Sequence, residues 1–108
     1  MHKLLIALMV LTLAVGCNQK KNQLLFEGQY FKAKAKKEAD DLSVFLVSVS
    51  PISASLEGAR AAGQYEATRY CIDNYGNSKI DWIVGPKDEA STYQIDKDTV
   101  FFKGRCDP

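Results

Sequence analysis

The sequence predicts a single α+β domain, in which one helix packs on a small, mostly antiparallel sheet in the order ββαβββ. Three observations support this fold class. Segments before residue 50 and after residue 80 alternate apolar and polar residues with the period of a strand. The segment between Ser55 and Gly76 has small and apolar residues at spacings of three and four, which is typical of a helix. No internal repeat or second composition block divides the chain, so one domain is expected over residues 25–108.

The first two strands are predicted within residues 29–37 and 42–49. In the first, period-two alternation places lysines on one side, although its Ala and Lys residues also suit a helix, which remains the alternative. Residues 38–41 have the length and polarity of a hairpin turn. The second strand is apolar on both faces as far as Leu46, which predicts a central position in the sheet.

The helix is predicted to begin near Ser53 or Ser55, either of which can act as the N-cap, and to end before Gly76 as the C-cap glycine. Its buried stripe has small side chains in the middle, which predicts close approach of the helix to the sheet. The stripe consists of Leu56, Ala59, Gly63, Ala67, Tyr70 and Cys71.

Three further strands are expected after the helix. Residues 80–84 form the first, with Trp82 on its inner face. Residues 93–95 and 99–105 form a hairpin around the turn 96–98, and the inner face of its second strand includes Phe102 and Cys106.

The N-terminus has the layout of a bacterial secretory signal. A basic start precedes an apolar run from Leu4 to Val15, which is shorter than the roughly 18–20 residues of a membrane-spanning helix. The run closes with Leu13-Ala14-Val15-Gly16-Cys17, which resembles the lipobox of bacterial lipoproteins. The resemblance implies that residues 1–16 are removed and that Cys17 carries diacylglycerol and an N-acyl chain. The alternative is an ordinary signal peptide that leaves Cys17 as a thiol.

Cysteine parity favours lipidation. An odd number of cysteines in a secreted chain leaves one without a partner. If Cys17 carries lipid, Cys71 and Cys106 form one pair, and the predicted helix and strand phases place both in the layer between helix and sheet. The disulfide would close a loop of 35 residues and stabilise the fold by about 3.8 kcal/mol in the chain-entropy model.

Residues 17–24 are expected to be the lipidated Cys and a polar tether to the bilayer. In sorting as known for enteric-type lipoproteins, most residues other than Asp after the Cys allow export to the outer membrane, so Asn18 implies an outer-membrane protein facing the periplasm. The lysines of residues 32–37 suit either of two roles. They can protect a sheet edge against pairing with other chains, or they can face anionic lipid headgroups.

Composition excludes several function classes. His2, the only histidine, lies in the signal, so the mature chain has no Ser-His or Cys-His catalysis and no imidazole zinc ligand. Removal of Lys3 leaves 13 basic and 13 acidic residues, which argues against nucleic-acid binding. Asp96 and Asp98 have calcium-loop spacing but lack the Gly and Glu such a loop needs. We therefore expect no enzyme, no metal and no cofactor.

Three apolar residues of the helix do not fit its buried stripe together: Tyr65, Ile72 and Tyr75. They form the candidate interaction surface, since clustered tyrosines often anchor protein contacts. The alternative is that they cover the rim of a small core.

The mature chain resembles a group of small bacterial lipoproteins of uncharacterised function. The resemblance is carried by Phe26-Glu27-Gly28-x-Tyr30-Phe31, Glu66-Ala67-Thr68-Arg69-Tyr70-Cys71-Ile72, Tyr75-Gly76-x-Ser78, Asp81-Trp82, Gly85-Pro86 and Gly104-Arg105-Cys106. It implies a lipoprotein with a disulfide and supplies no activity. The expected function is a non-catalytic structural or protein-interaction accessory that binds another envelope component, and the alternative is a small-ligand binding module with a pocket between helix and sheet.

Overall fold

The computed structural model describes residues 24–38 and 40–107, and it confirms the α+β fold. The predicted signal 1–16, Cys17 and all of the tether except Leu24 lie outside the described residues. The elements are β1 (Leu25–Phe26), β2 (Gln29–Tyr30), β3 (Lys32–Glu38), β4 (Asp41–Ser50), α1 (Leu56–Tyr75), β5 (Ile80–Val84), a 3-10 turn (Ala90–Thr92), β6 (Gln94–Asp96) and β7 (Thr99–Cys106).

The main sheet has the strand order β3-β4-β7-β5, and β6 pairs with β7 on the same side as β5. Every pairing is antiparallel. β4 lies between β3 and β7, which confirms its predicted central position. β1 and β2 form a separate two-stranded sheet, called here the N-terminal hairpin, which the predicted order ββαβββ did not include.

The segment 29–37 is a strand from Lys32 onward, which settles the choice between strand and helix. The expected start at Gln29 was wrong, because Gln29–Tyr30 pairs with Leu25–Phe26 instead of with β4. Phe31 separates the two pairings. Simple alternation could not show this change of partner, since the period remains two on both sides of Phe31.

The core lies between α1 and one face of the sheet. Its largest fully buried side chains are Phe45, Phe102, Val47, Val49, Val100, Cys71 and Cys106. The register places Val47 opposite Phe102 and Val49 opposite Val100, so the two central strands supply most of this layer. Cross-strand pairs of this kind are the main stabilising contacts within a sheet face.

Helix α1 begins and ends as its sequence predicts. The Ser55 Oγ accepts a hydrogen bond of 2.9 Å from the Gly58 N–H, which identifies Ser55 rather than Ser53 as the N-cap. Gly76 has a φ of 78°, and its N–H donates to the Ile72 carbonyl at 2.9 Å. The buried residues of the helix are Gly58, Ala59, Ala62, Gly63, Ala67 and Cys71. Leu56 and Tyr70, which we expected in the stripe, are only half-buried.

Gly63 allows the close helix–sheet approach that the sequence predicts. A Cβ built on Gly63 would lie 2.6 Å from ring carbons of Phe102, closer than real Cβ contacts come. The ring of Phe102 therefore occupies the space that any other residue would fill at this position. This contact replaces some of the helix stability that glycine loses relative to alanine, about 1 kcal/mol.

The predicted disulfide is present. Cys71 near the end of α1 is bonded to Cys106 at the end of β7, with 5.5 Å between the Cα atoms, and both residues are buried. This separation is within the usual range for a disulfide. The predictions that Cys71 lies on the buried face of the helix and Cys106 on the buried face of the last strand were therefore both correct.

The turn between β6 and β7 connects the sheet to the start of the helix. Lys97 and Asp98 occupy it with φ values of 56° and 83°. The Asp98 carboxylate accepts hydrogen bonds from the Ser53 N–H at 2.8 Å and the Ser53 Oγ at 2.7 Å. The Ile52 N–H also donates to the Asp98 carbonyl at 3.0 Å. Asp98 thus fixes the segment that precedes α1, a role that its sequence position does not reveal.

Candidate interaction site

A surface cleft of about 510 Å³ lies between α1, β3 and the N-terminal hairpin. We call it the N-terminal cleft. It opens to solvent and is not an enclosed cavity. It is lined by Leu24, Phe26, Phe31, Ala33, Ala62, Tyr65, Glu66 and Arg69. Six of these eight residues are apolar or aromatic, and Glu66 and Arg69 add charged groups, so the cleft offers both apolar and polar contacts.

The N-terminal hairpin forms one wall of the cleft, and a tight turn creates it. Glu27 and Gly28 have φ values of 53° and 73°. Positive φ at both central residues is the requirement of a type I′ turn, the turn that best joins two antiparallel strands. The turn pairs Phe26 with Gln29 and Leu25 with Tyr30. A two-stranded hairpin is marginally stable alone, so its packing against the helix must hold it in place.

Gly58 provides that packing. A Cβ on Gly58 would lie 2.7 Å from the Phe31 ring and 2.8 Å from the Phe26 carbonyl oxygen. Further along the helix, the Tyr65 ring packs on the Phe26 ring with 5.8 Å between the centroids. Tilted aromatic pairs at this distance are favourable beyond the area they bury. The hairpin and the helix therefore hold each other's aromatic side chains at the entrance of the cleft.

One ion pair lies at the rim of the cleft. The Arg69 Nη1 is 3.5 Å from the Glu66 Oε1, one helical turn away. Exposed pairs of this type contribute little to stability, typically below about 1 kcal/mol. The cleft therefore has apolar and aromatic lining residues together with one ion pair at its edge.

Exposed apolar side chains surround the N-terminal cleft. Leu24, Leu25, Tyr30 and Tyr65 are between 42% and 54% exposed. Leu24 and Tyr65 line the cleft, while Leu25 and Tyr30 are cross-strand partners in the adjoining hairpin. Apolar side chains clustered in this way are typical of a contact surface, whereas single exposed ones are not informative.

A second cleft, of about 480 Å³, lies on the other side of the helix and contains Arg60. The Arg60 guanidinium carbon lies 5.6 Å from the centre of the Tyr93 ring, and its Nη1 is 2.8 Å from the Glu57 Oε2. The Tyr93 hydroxyl is 2.8 Å from the carbonyl oxygens of Pro86 and Asp88, to either of which it can donate. Burial raises the pKa of Tyr93 above its ordinary value, and Arg60 partly opposes this effect. These contacts hold the 85–93 segment against the helix.

Of the three predicted surface residues, only Tyr65 lines the N-terminal cleft. Ile72 is 47% exposed and lies two helical turns beyond Tyr65. Tyr75 is half-buried and packs against the core. Leu24, Phe26 and Phe31 were not among the predicted site residues. Gly28 between two short apolar segments is a turn signal that could have suggested the hairpin that carries Phe26, although Glu-Gly is not among the dipeptides that favour such a turn most strongly.

Within residues 24–38 and 40–107, no group of three or more His, Cys, Asp or Glu side chains is arranged to hold a metal ion. In the same part of the chain, no helix has the length and apolar character needed to cross a membrane. The chain matches no protein-family model, and comparisons with curated proteins and with solved structures found no similar protein.

Proposed function

We propose that this protein is a lipid-anchored, non-catalytic accessory of the bacterial cell envelope that binds another envelope protein through the N-terminal cleft. The observation that carries the proposal is the position of Leu24. This residue ends the predicted tether and lines the cleft. A chain held at Cys17 through six tether residues, which span about 20 Å when extended, would present the cleft close to the membrane surface.

Lipidation supports stable attachment at that surface. A diacylglycerol and an amide-linked acyl chain on Cys17 supply three chains, and stable anchoring needs about two such signals. With Asn18 after the Cys, the proposed location is the outer membrane, on its periplasmic side. The cleft would then be available to periplasmic proteins and to the periplasmic parts of membrane proteins.

Replacement of Cys17 by Ser tests the anchor. We expect the variant to lose metabolic acyl labelling and to move from the membrane to the soluble periplasmic fraction, because the thiol is the site of lipid attachment. The matched control is Asn18→Ser, which alters the neighbouring residue and should keep the label. A Cys17→Ser protein that remains labelled and membrane-bound would show that the lipobox interpretation is wrong.

A photo-crosslinking amino acid at position 65 tests the interaction in intact cells. Tyr65 lies in the cleft, so we expect a covalent adduct with one main envelope protein. The matched control is position 95, because Ile95 is similarly exposed, at 48%, but lies on β6 and does not line the cleft. Equal crosslinking from both positions would contradict a specific interaction at the cleft. Turnover that is lost on substitution of Glu66 or Arg69 would contradict a non-catalytic role.

The volume of the cleft favours one alternative, a small-ligand binding module. About 510 Å³ is within the range of roughly 300–1,000 Å³ that small-molecule pockets occupy. The alternative predicts that the purified protein carries a stoichiometric small molecule, which native mass spectrometry would detect, and that Tyr65→Ala abolishes its binding. Protein adducts at position 65 without such a ligand would favour the interaction accessory.

A further inference from the structure

The face of the sheet opposite the helix combines apolar and basic side chains. β3 places Lys32, Lys34 and Lys36 on this face, since Ala33 and Ala35 between them pack toward the core. The register sets Lys34 opposite Ser48 and Lys36 opposite Leu46. The three lysines therefore form a row along the outer strand of the sheet, and all three are exposed.

An apolar centre lies beside this row. Leu46 and Phe101 are half-buried on the same face and contact a shallow depression of about 140 Å³ whose other lining residues are Lys34, Lys36 and Ser48. Leu46 lies opposite Lys103 and Ser48 lies opposite Phe101, so the depression spans β3, β4 and β7. No helix of the described chain covers this face, because α1 packs on the other side.

The charges on this face are unevenly distributed. Among the described residues, no carboxylate lies within 4 Å of the amino groups of Lys32, Lys34 or Lys36. Lys103 is the exception on the face, since it pairs with Glu38. The carboxylates of Asp81 and Asp96 belong to β5 and β6, on the far side of β7. On β3, three lysines of this face thus stand against one carboxylate, that of Glu38, which is paired with Lys103, so the β3 side of the face is net positively charged.

The N-terminal segment leaves the domain beside the same strand. Leu24 shares the N-terminal cleft with Phe31 and Ala33, and Ala33 lies between two lysines of the row. Only six residues separate Leu24 from Cys17, a span of about 20 Å at full extension. A lipid on Cys17 would therefore keep the lysine row within reach of the bilayer surface.

We propose that this face, defined by Lys32, Lys34, Lys36, Leu46 and Phe101, docks on the anionic phospholipid headgroups of the membrane that holds the anchor. The docking rests on the proposed lipidation of Cys17. Lysine side chains are attracted electrostatically to an anionic membrane surface. Their aliphatic stems, like the apolar side chains of Leu46 and Phe101, favour the interfacial region of the bilayer. Seated in this way, the domain has a fixed orientation on the membrane instead of moving freely on its tether.

Lysine labelling of the mature lipidated protein tests the orientation directly. The protein is added to vesicles of phosphatidylcholine alone or of phosphatidylcholine mixed with phosphatidylglycerol, treated with a membrane-impermeant amine reagent, and analysed by mass spectrometry at each lysine. We expect labelling of Lys32, Lys34 and Lys36 to be at least about fivefold slower on the anionic vesicles and to recover at high salt, because salt screens surface charge. Lys37 and Lys87 should label equally on both. They are exposed on the helix side, Lys37 opposite buried Phe45 and Lys87 in the second cleft.

Two variants with the same change in charge provide the matched comparison. In the triple variant Lys32→Gln, Lys34→Gln, Lys36→Gln, protection of Lys103 on the docking face should be lost. In the control Lys37→Gln, Lys87→Gln, Lys97→Gln, that protection should remain. Equal labelling on both vesicle types would overturn the docking proposal. Protection seen only in native membranes that retain their proteins would also overturn it, since it would identify a protein as the occupant.

The failure of the anchor can be recognised separately. The mass of the N-terminal peptide shows whether Cys17 carries lipid. If it does not, the proposed anchoring fails, and docking is tested by flotation of the mature chain with the same two kinds of vesicle. Binding to anionic vesicles alone, lost in the triple variant and kept in its control, would support the docking face without the anchor. Absence of binding would then overturn both proposals.

Discussion

Glycine usually destabilises a helix. In this protein, the close contacts of Gly58 and Gly63 explain why glycine occupies these two positions. Gly63 faces the ring of Phe102, and Gly58 faces Phe31 and the backbone of the N-terminal hairpin. Of the first contact, the sequence predicted only the close approach of the helix to the sheet, because Gly63 lies in a stripe of small residues with helical spacing. It did not predict the second contact, because nothing local to Gly58 indicates that a hairpin about 30 residues earlier in the sequence packs there. Spacing predicts which face is buried, but not what covers each position.

Substitution of Gly63 by Ala should lower the free energy of unfolding by about 1–3 kcal/mol, the usual cost of overpacking a core. On helix propensity alone, the same change would raise it by about 1 kcal/mol. Urea denaturation shows whether the free energy of unfolding of Gly63→Ala is lower or higher than that of the wild type. In a double-mutant cycle with Phe102→Leu, the smaller side chain should accommodate the added methyl group and reduce the cost. A stabilised Gly63→Ala protein would contradict the close contact.

Tyr93 makes stability depend on alkaline pH. Its folded-state pKa is raised above the ordinary value by burial, so the unfolded chain loses the hydroxyl proton first as pH rises. The stability that this pKa difference contributes to the folded protein is fully present below about pH 10. It is lost as the pH rises through the pKa of Tyr93 in the folded state. Tyr93→Phe should cost about 1 kcal/mol at neutral pH through the lost hydrogen bond, and the difference from the wild type should shrink above pH 10. The midpoints of urea unfolding of the wild type and of Tyr93→Phe, compared at pH 8 and at pH 11, measure this difference in stability. The control Tyr65→Phe, at an exposed position, should show no such narrowing.

At the scale of elements, long patterns were predicted well and short ones were not. β4, α1 and β7 each repeat their periodicity over 8–20 residues, and all three are confirmed. β1 and β2 have two residues each, which is too few for any period to be measured. This limit affected the prediction of the candidate site most, because the N-terminal hairpin, which was not predicted, supplies a wall of the N-terminal cleft. Tyr65 was predicted to be exposed, while the residues it packs with were not identified.

The turn at residues 97–98 offers a test of long-range bonding from a single side chain. Lys97 and Asp98 both have positive φ, so replacement of either by Ala leaves similar backbone strain. Asp98→Ala also removes the two hydrogen bonds from Ser53 to the carboxylate. We expect Asp98→Ala to reduce the free energy of unfolding by about 1–3 kcal/mol more than Lys97→Ala, as measured by urea denaturation. Equal losses would mean that the bonds contribute nothing to stability.

At the scale of the whole molecule, the disulfide joins the two layers of the domain. Cys71 belongs to the helix and Cys106 to β7, and the loop between them contains β5, β6 and most of β7. Small domains bury a limited fraction of their surface, so a covalent link of this kind supplies a large part of their stability. The disulfide pairing could be predicted because it required only the buried face of the helix, the buried face of the last strand and the number of cysteines. The order of the strands could not, since it depends on contacts between segments far apart in sequence.

The double substitution Cys71→Ala, Cys106→Ala should lower the free energy of unfolding by about 2–5 kcal/mol, through the loop that the bond closes in the unfolded chain. Urea denaturation with and without reductant measures the change. Reductant should destabilise the wild-type protein by a similar amount and should not affect the variant. A variant as stable as the wild type would show that packing alone maintains the two layers.

Among the described residues, β7 is the element furthest along the chain, and it lies inside the sheet, where it pairs with β4 on one side and with β5 and β6 on the other. A chain that crosses a membrane with its N-terminus first can therefore form the β3–β4 hairpin and the helix early, but it cannot complete the sheet until residues 99–106 have emerged. Contacts across such long sequence separations form late in folding. If the protein is exported as we propose, the domain would have no closed core until residues 99–106 had been delivered, which would leave it in the extended form that a narrow translocation channel requires.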